Sequence, residues 1–162
     1  MRIRTLEADE GMLLKRLRLG SLKESPDSFS PTFEENAVHD DEYWRRAARR
    51  IADTPGFEIF VVEIDGHEAG LVSGQVDEQG TGHIGAMWVD PVARGKGVGR
   101  ALLERVMTFL KDQDCAAIEL SVTETNHGAI ALYESLGFRF NGNDEPLRHG
   151  SPLLNRHMSL EI

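Results

Sequence analysis

The sequence has a single cysteine, Cys115, in 162 residues. No internal disulfide can form, so apolar burial must hold the chain together, and the length is sufficient for that. A reducing, cytoplasmic setting is the expectation for such a chain. Positive charge is also scarce. Eighteen Lys and Arg stand against 27 Asp and Glu, for a net charge of −9. That argues against nucleic acid as a partner, because phosphate binding needs a basic face. Through the field of the whole protein it favours a cationic small substrate over an anionic one, unless the acidity serves only solubility. No apolar run approaches the length of a membrane span, so no membrane partner is expected. Met1-Arg2-Ile3-Arg4-Thr5 has no apolar stretch behind its arginines, which argues against a signal peptide. The six histidines are scattered, with neither H-E-x-x-H nor Cys–His spacing. No metal site is expected.

The composition that remains is that of one globular domain over residues 1–162. Arg2 to Leu6 alternates weakly, as a strand does. Asp9 is a candidate cap for a helix through Leu13, Leu14, Leu17 and Leu19. A second helical stretch runs from about Thr32 to Ala52, and Thr54-Pro55-Gly56 ends it. Phe57 to Ile64 is rich in β-branched and aromatic residues, and Asp65-Gly66 signals a hairpin to Glu68–Val76. His83 to Val89 follows as a third antiparallel strand, stopped by Asp90-Pro91. The period then changes. Leu102, Leu103, Val106, Phe109 and Leu110 mark an amphipathic helix starting near Gly97. Ile118, Leu120 and Val122 alternate as a strand. Asn126 opens a helix carrying Ala129, Ile130, Tyr133 and Leu136, and Gly137 stops it. Phe138 begins another strand, and Arg156 to Ile162 alternates as the last. The class is α/β or α+β with a mixed, mostly antiparallel sheet.

One segment breaks the acidic trend. Arg94, Lys96, Arg100 and Arg105 lie within twelve positions. The run Val89-Asp90-Pro91-Val92-Ala93-Arg94-Gly95-Lys96-Gly97-Val98-Gly99-Arg100 reads as a strand end, a glycine-rich loop and a helix start. The first N–H groups of a helix lack intrahelical partners and carry partial positive charge. A pyrophosphate accepts from them. Gly95, Gly97 and Gly99 let it approach the backbone, and Arg94, Lys96 and Arg100 add charge. A P-loop needs Lys-Ser or Lys-Thr after its last glycine, and Arg100-Ala101 stands there instead. A dinucleotide fingerprint needs G-x-G-x-x-G, and this spacing differs. The bland alternative is a helix entry whose glycines serve packing alone.

Arg94-x-x-Gly97-x-Gly99 resembles the coenzyme A pyrophosphate loop of the GCN5-related N-acetyltransferase (GNAT) family. The run from Asn126 to Phe138 is similar to that family's second signature, in which Asn opens a helix and Tyr precedes a Gly-Phe by one turn. Together the two cover residues 83 to 140. The resemblance implies a mostly antiparallel sheet of about seven strands with about four helices. It implies acetyl-CoA as co-substrate and direct attack of a primary amine, on a small molecule or peptide, in a ternary complex. The fourth and fifth strands would splay apart around the pantetheine arm. Met87 and Val89 would offer backbone hydrogen bonds to it, Asn126 a side-chain one, and the Tyr133 hydroxyl would meet the departing thiolate.

From periodicity alone Tyr133 is a core residue and Asn126 a helix N-cap. Some family members carry an acidic base four residues before the position of Met87. Here that position is His83, and strict alternation puts it on the face of Met87 unless a bulge intervenes. Glu119, Glu34, Glu35 or a water relay are alternatives. Cys115 reads as a small buried hydrophobe, and Trp88 as a core residue. Competing functions are a non-catalytic acyl-CoA sensor and a transferase for another acyl-CoA.

Overall fold

In the computed structural model, which describes residues 1–162, the β-branched segments form the strands expected of them. Strand β1 is Arg2–Thr5, β2 Phe57–Ile64 and β3 His67–Val76. Asp65 and Gly66 both have positive φ, the geometry of the two-residue hairpin turn. Strand β4 is Thr81–Val89, β5 Ala117–Thr123, β6 Arg139–Pro146 and β7 Leu154–Glu161. The seven form one sheet in the order β1-β2-β3-β4-β5-β7-β6. Only β4 and β5 are parallel neighbours; all other pairs are antiparallel.

Five α-helices cover the sheet: α1 Gly11–Glu24, α2 Phe33–Ala37, α3 Asp41–Asp53, α4 Val98–Asp112 and α5 His127–Ser135. The single stretch expected over Thr32–Ala52 is thus two helices. Thr32 and Glu35 close a capping box on the first, and the Asp40 carboxylate accepts from Tyr43 N–H to start the second. Two good caps eight residues apart favour two short helices over one. The expected cap Asp9 is displaced as well. Glu10 stands at the N-cap with no capping bond, because its carboxylate is held by Arg4 and by Glu7 N–H.

Each face of the sheet has its own core. Leu102, Leu103, Val106 and Leu110 of α4 are fully buried against Phe60, Val62 and Val72 on one face. Such a side chain stabilises by about 2 kcal/mol. A Cβ on Gly74 would lie 2.5 Å from Val106 Cγ2, so glycine lets α4 approach β3 closely. Cys115 is buried in this core, and burial pushes its thiol pKa up. Trp44, Ala48 and Ile51 of α3 pack with Leu14, Leu17 and Leu22 of α1 on the other face, over Val61, Leu71 and Trp88. No helix is long and apolar enough to cross a membrane.

Candidate active site

A slit opens in the middle of the sheet. β4 and β5 pair only at Thr81↔Ala117, Gly82↔Ile118 and His83↔Glu119. Beyond His83 and Glu119 the strands continue unpaired with each other, to Val89 and Thr123. The cause lies in β4. Ala86 has φ 50°, and the register with β3 shifts between Leu71 and Ser73. This is a bulge, which adds twist and bends its strand away from a neighbour. Asp90 N–H donates to Ala69 O at 2.8 Å, towards β3. Because backbone direction alternates, Val89 and, two residues earlier, Met87 present their polar groups to the open side. The resulting cleft holds about 840 Å³.

At one end of the cleft is the glycine loop. Gly95 and Gly97 have φ +76° and +79°, a left-handed conformation that side chains disfavour. Gly97 caps α4 with no side-chain acceptor, so the first N–H groups of the helix face outward. Such a turn of successive N–H groups makes a concavity for an anion. Arg94, Gly95, Gly97, Gly99 and Arg100 line it. Lys96, expected beside them, does not line the cleft; its ammonium donates back to Val92 O at 3.2 Å. The Arg94 guanidinium donates to Val89 O at 2.9 Å and to Glu24 at 2.7 Å. Arg100 reaches Ser135 Oγ at 2.8 Å.

Helix α5 borders the cleft beyond this loop. Asn126 Oδ1 accepts from Ala129 N–H at 3.3 Å as N-cap. Asn126 also lines the cleft, so capping leaves its amide NH₂ free to donate there. Tyr133 is 6% exposed and packs edge-on to Phe138, yet it too lines the cleft. Burial pushes its phenol pKa up to about 12. The hydroxyl therefore stays a proton donor at neutral pH. An anion loop, an extended slit edged with backbone donors and a protonated phenol suit a pyrophosphate joined to a long thioester arm.

A model of the acetyltransferase (GNAT) family matches residues 22–138. The chain belongs to that family. Among sequence relatives, N-acetylaspartate synthetase of Rattus norvegicus is 38% identical over 89 residues, covering 54% of this chain and 30% of that protein. Mycothiol acetyltransferase of Beutenbergia cavernae is 33% identical over 142 residues, covering 85% and 44%. The chain thus spans less than half the length of these relatives. The structure of ribosomal-protein-alanine N-acetyltransferase from Brucella melitensis matches with a TM-score of 0.81 at 19% identity, over all of both chains. The yncA protein of Salmonella typhimurium, solved with its cofactor acetyl-CoA, matches at 0.77 and 20%, over 99% of this chain and 93% of that one. These two structural likenesses bear on the fold.

In this GNAT chain the expectation for His83 needs correction. Ile84 packs in the α4 core, as do Met87 and Val89. The bulge at Ala86 resets the alternation, so His83 lies on the opposite face, with Trp88. It does not line the cleft. Its Nε2 pairs with Asp77 Oδ2 at 2.7 Å, a bond that lowers the Asp77 pKa. His83→Ala is accordingly expected to leave kcat/KM within roughly twofold of wild type, where loss of a base costs a hundredfold or more. A hundredfold drop in steady-state turnover would restore His83 as the base. Glu34, Glu35 and Glu119 do not line the cleft either, and Glu35 is held in the α2 capping box. No three His, Cys, Asp or Glu side chains are grouped to hold a metal ion.

Sequence reasoning missed the contribution of α1 and the turn after it. Glu24 accepts from Ser25, from Trp88 Nε1 at 2.9 Å and from Arg94. Burial opposes its charge, but these hydrogen bonds outweigh that and lower its pKa. Arg148 donates to the carbonyls of Pro26, Phe29 and Ser30, and Thr123 Oγ1 donates to Asp27 O at 2.6 Å. The Pro26–Ser28 turn is thereby clamped over the mouth of the cleft, which Arg18, Ser28 and Phe29 help to line. One signal was available. Arg18 stands midway in the i, i+4 row between Leu14 and Leu22, both buried, where an apolar residue is usual.

Proposed function

We propose that this chain is an N-acetyltransferase that passes the acetyl group of acetyl-CoA directly to a primary amine. The observation that carries the reading is the slit between β4 and β5, with the Gly95–Gly99 loop at its end and the Tyr133 phenol on its wall. The names of the sequence relatives support acetyl transfer. Acetyl-CoA supplies the activated acyl carbon. Its pyrophosphate sits on the α4 N-terminus beside Arg94 and Arg100, and Asn126 donates to the arm. The amine nitrogen attacks the thioester carbonyl carbon, the C–N bond forms and the C–S bond breaks. Backbone N–H groups of β4 stabilise the charge that grows on the carbonyl oxygen. The Tyr133 hydroxyl donates to the leaving sulfur. No Asp, Glu or His lines the cleft, so water carries off the proton lost by the amine. A reducing compartment suits the buried Cys115 thiol.

The test is free-thiol release from acetyl-CoA across a panel of amines. Release that depends on one class of amine is the expected result. Tight coenzyme A binding without release for any amine would instead favour a sensor. Release only from a longer acyl-CoA would change the donor.

A further inference from the structure

The protein carries a net charge of −9, yet the charged side chains lining the cleft are Arg18, Arg94 and Arg100, with no acid among them. Arg94 already has Glu24, and Arg100 has Glu104 and Ser135. Arg18 is different. It forms no salt bridge, and its Nη1 is wholly buried without a hydrogen-bond partner. The guanidinium carbon lies over the Phe29 ring, 5.0 Å from the centroid, a contact that supplies no hydrogen-bond acceptor. Burial lowers its pKa, and no carboxylate offsets this. An unpaired buried cation is costly, and the cost is relieved by an anion that enters the site.

The position of Arg18 narrows which anion this is. Met87, Val89 and Tyr133 pack with α4 and α5 on one face of the sheet, while α1 packs with Trp88 on the other. The pyrophosphate loop heads α4 on the first face, whereas Arg18 belongs to α1 on the second. The slit joins the two faces, and an acceptor entering from the α1 side meets Arg18. Accepting the amine-acetyltransferase reading above, we infer that the acceptor carries a carboxylate and that Arg18 binds it. The substrate class is then an amino acid or a related amine–carboxylate, not a polyamine. A planar guanidinium takes a carboxylate through two parallel N–H bonds, which also aims the amine at the thioester. The acidic surface draws in the ammonium end, and Arg18 holds the other end.

The experiment compares matched amines with and without the carboxylate: tyrosine with tyramine, ornithine with putrescine, valine with isobutylamine. Thiol release from acetyl-CoA is measured on wild type and Arg18→Gln, alongside calorimetric titration of their coenzyme A complexes with the corresponding N-acetylated products. Wild type is expected to favour a carboxylated member by roughly 10²-fold or more in kcat/KM. Arg18→Gln is expected to erase that ratio while keeping coenzyme A affinity. Equal or better turnover of the carboxylate-free amines overturns the inference and leaves the acetyltransferase reading standing. If no amine turns over, that reading falls, and the product titrations decide about Arg18 by themselves. Arg18-dependent binding of the carboxylated products supports it, and Arg18-independent binding, or none, overturns it. Turnover with succinyl-CoA that needs Arg18, where acetyl-CoA turnover does not, assigns the carboxylate to the acyl chain and overturns the acceptor placement. A melting temperature that falls in Arg18→Gln with an unchanged ratio marks Arg18 as a brace for the Phe29 turn and also overturns it.

Discussion

Gly99→Asp is expected to remove coenzyme A binding while leaving the melting temperature near that of wild type. Gly99 is the second residue of α4. A Cβ there meets only side-chain atoms, the nearest being Met87 Cε at 3.4 Å, so the substitution needs little rearrangement. An aspartate in the first helical turn favours the dipole by about 0.3–1 kcal/mol. The same carboxylate stands where the pyrophosphate must approach. A unit charge pair about 5 Å apart in a partly buried site repels by roughly 3 kcal/mol. Two phosphate charges therefore weaken binding well beyond a hundredfold. Calorimetry with coenzyme A measures this. Unchanged affinity in a folded Gly99→Asp protein would falsify the placement of the phosphates. Gly97→Glu aims at the same phosphates less cleanly. Gly97 has φ +79°, and a side chain in that conformation costs about 1–2 kcal/mol by itself.

Tyr133→Phe is expected to lower kcat by roughly 10²-fold and to leave coenzyme A affinity near normal. The phosphate loop and the β4 backbone are untouched by the change. The Tyr133 hydroxyl is not among the wholly buried polar atoms that lack a partner. It lies instead at the cleft wall, where its donor is free for the sulfur. The loss belongs in kcat because the bond strengthens as the thiolate departs. The phenol pKa near 12 sets the pH behaviour. Between pH 6 and 9 the hydroxyl stays protonated, so no falling limb from Tyr133 appears there. The stability linkage has a definite sign. The folded pKa lies above the unfolded value of about 10, so the phenol's contribution is complete below pH 10. It is lost as pH rises towards 12. Stopped-flow thiol release with a true acceptor separates chemistry from binding. Wild-type rates for the Phe variant over pH 6–9 would leave Tyr133 a core residue and return the leaving group to solvent.

Much of this architecture was legible from local patterns. The Asp65-Gly66 turn, the β2–β3–β4 run, the α4 stripe at Leu102, Leu103, Val106 and Leu110, and the Asn126 cap all follow from turn chemistry and period. Each involves residues close in sequence, where conformational preference acts directly. The glycine loop was readable for the same reason, whereas the role of Tyr133 rested on the resemblance of the Asn126–Phe138 run to the family's second signature; the family match over residues 22–138 covers both. The split of the Thr32–Ala52 stretch was also a local matter. Asp40 is a good N-cap, but it lies inside a continuous polar run that hides the break.

What the sequence determined, then, is the kind and order of elements and the chemistry offered by one loop and one helix. Tertiary structure alone decided where the sheet parts and which side chains meet there. Strict alternation assigns His83 to the face of Met87, and one left-handed residue, Ala86, reverses it. A single extra residue flips every later side chain, because the strand period is two. The same bulge ends the β4–β5 pairing after His83 and so creates the cleft. Arg18 joins that cleft only because α1 packs across Trp88, a contact between residues about seventy positions apart that no local periodicity encodes.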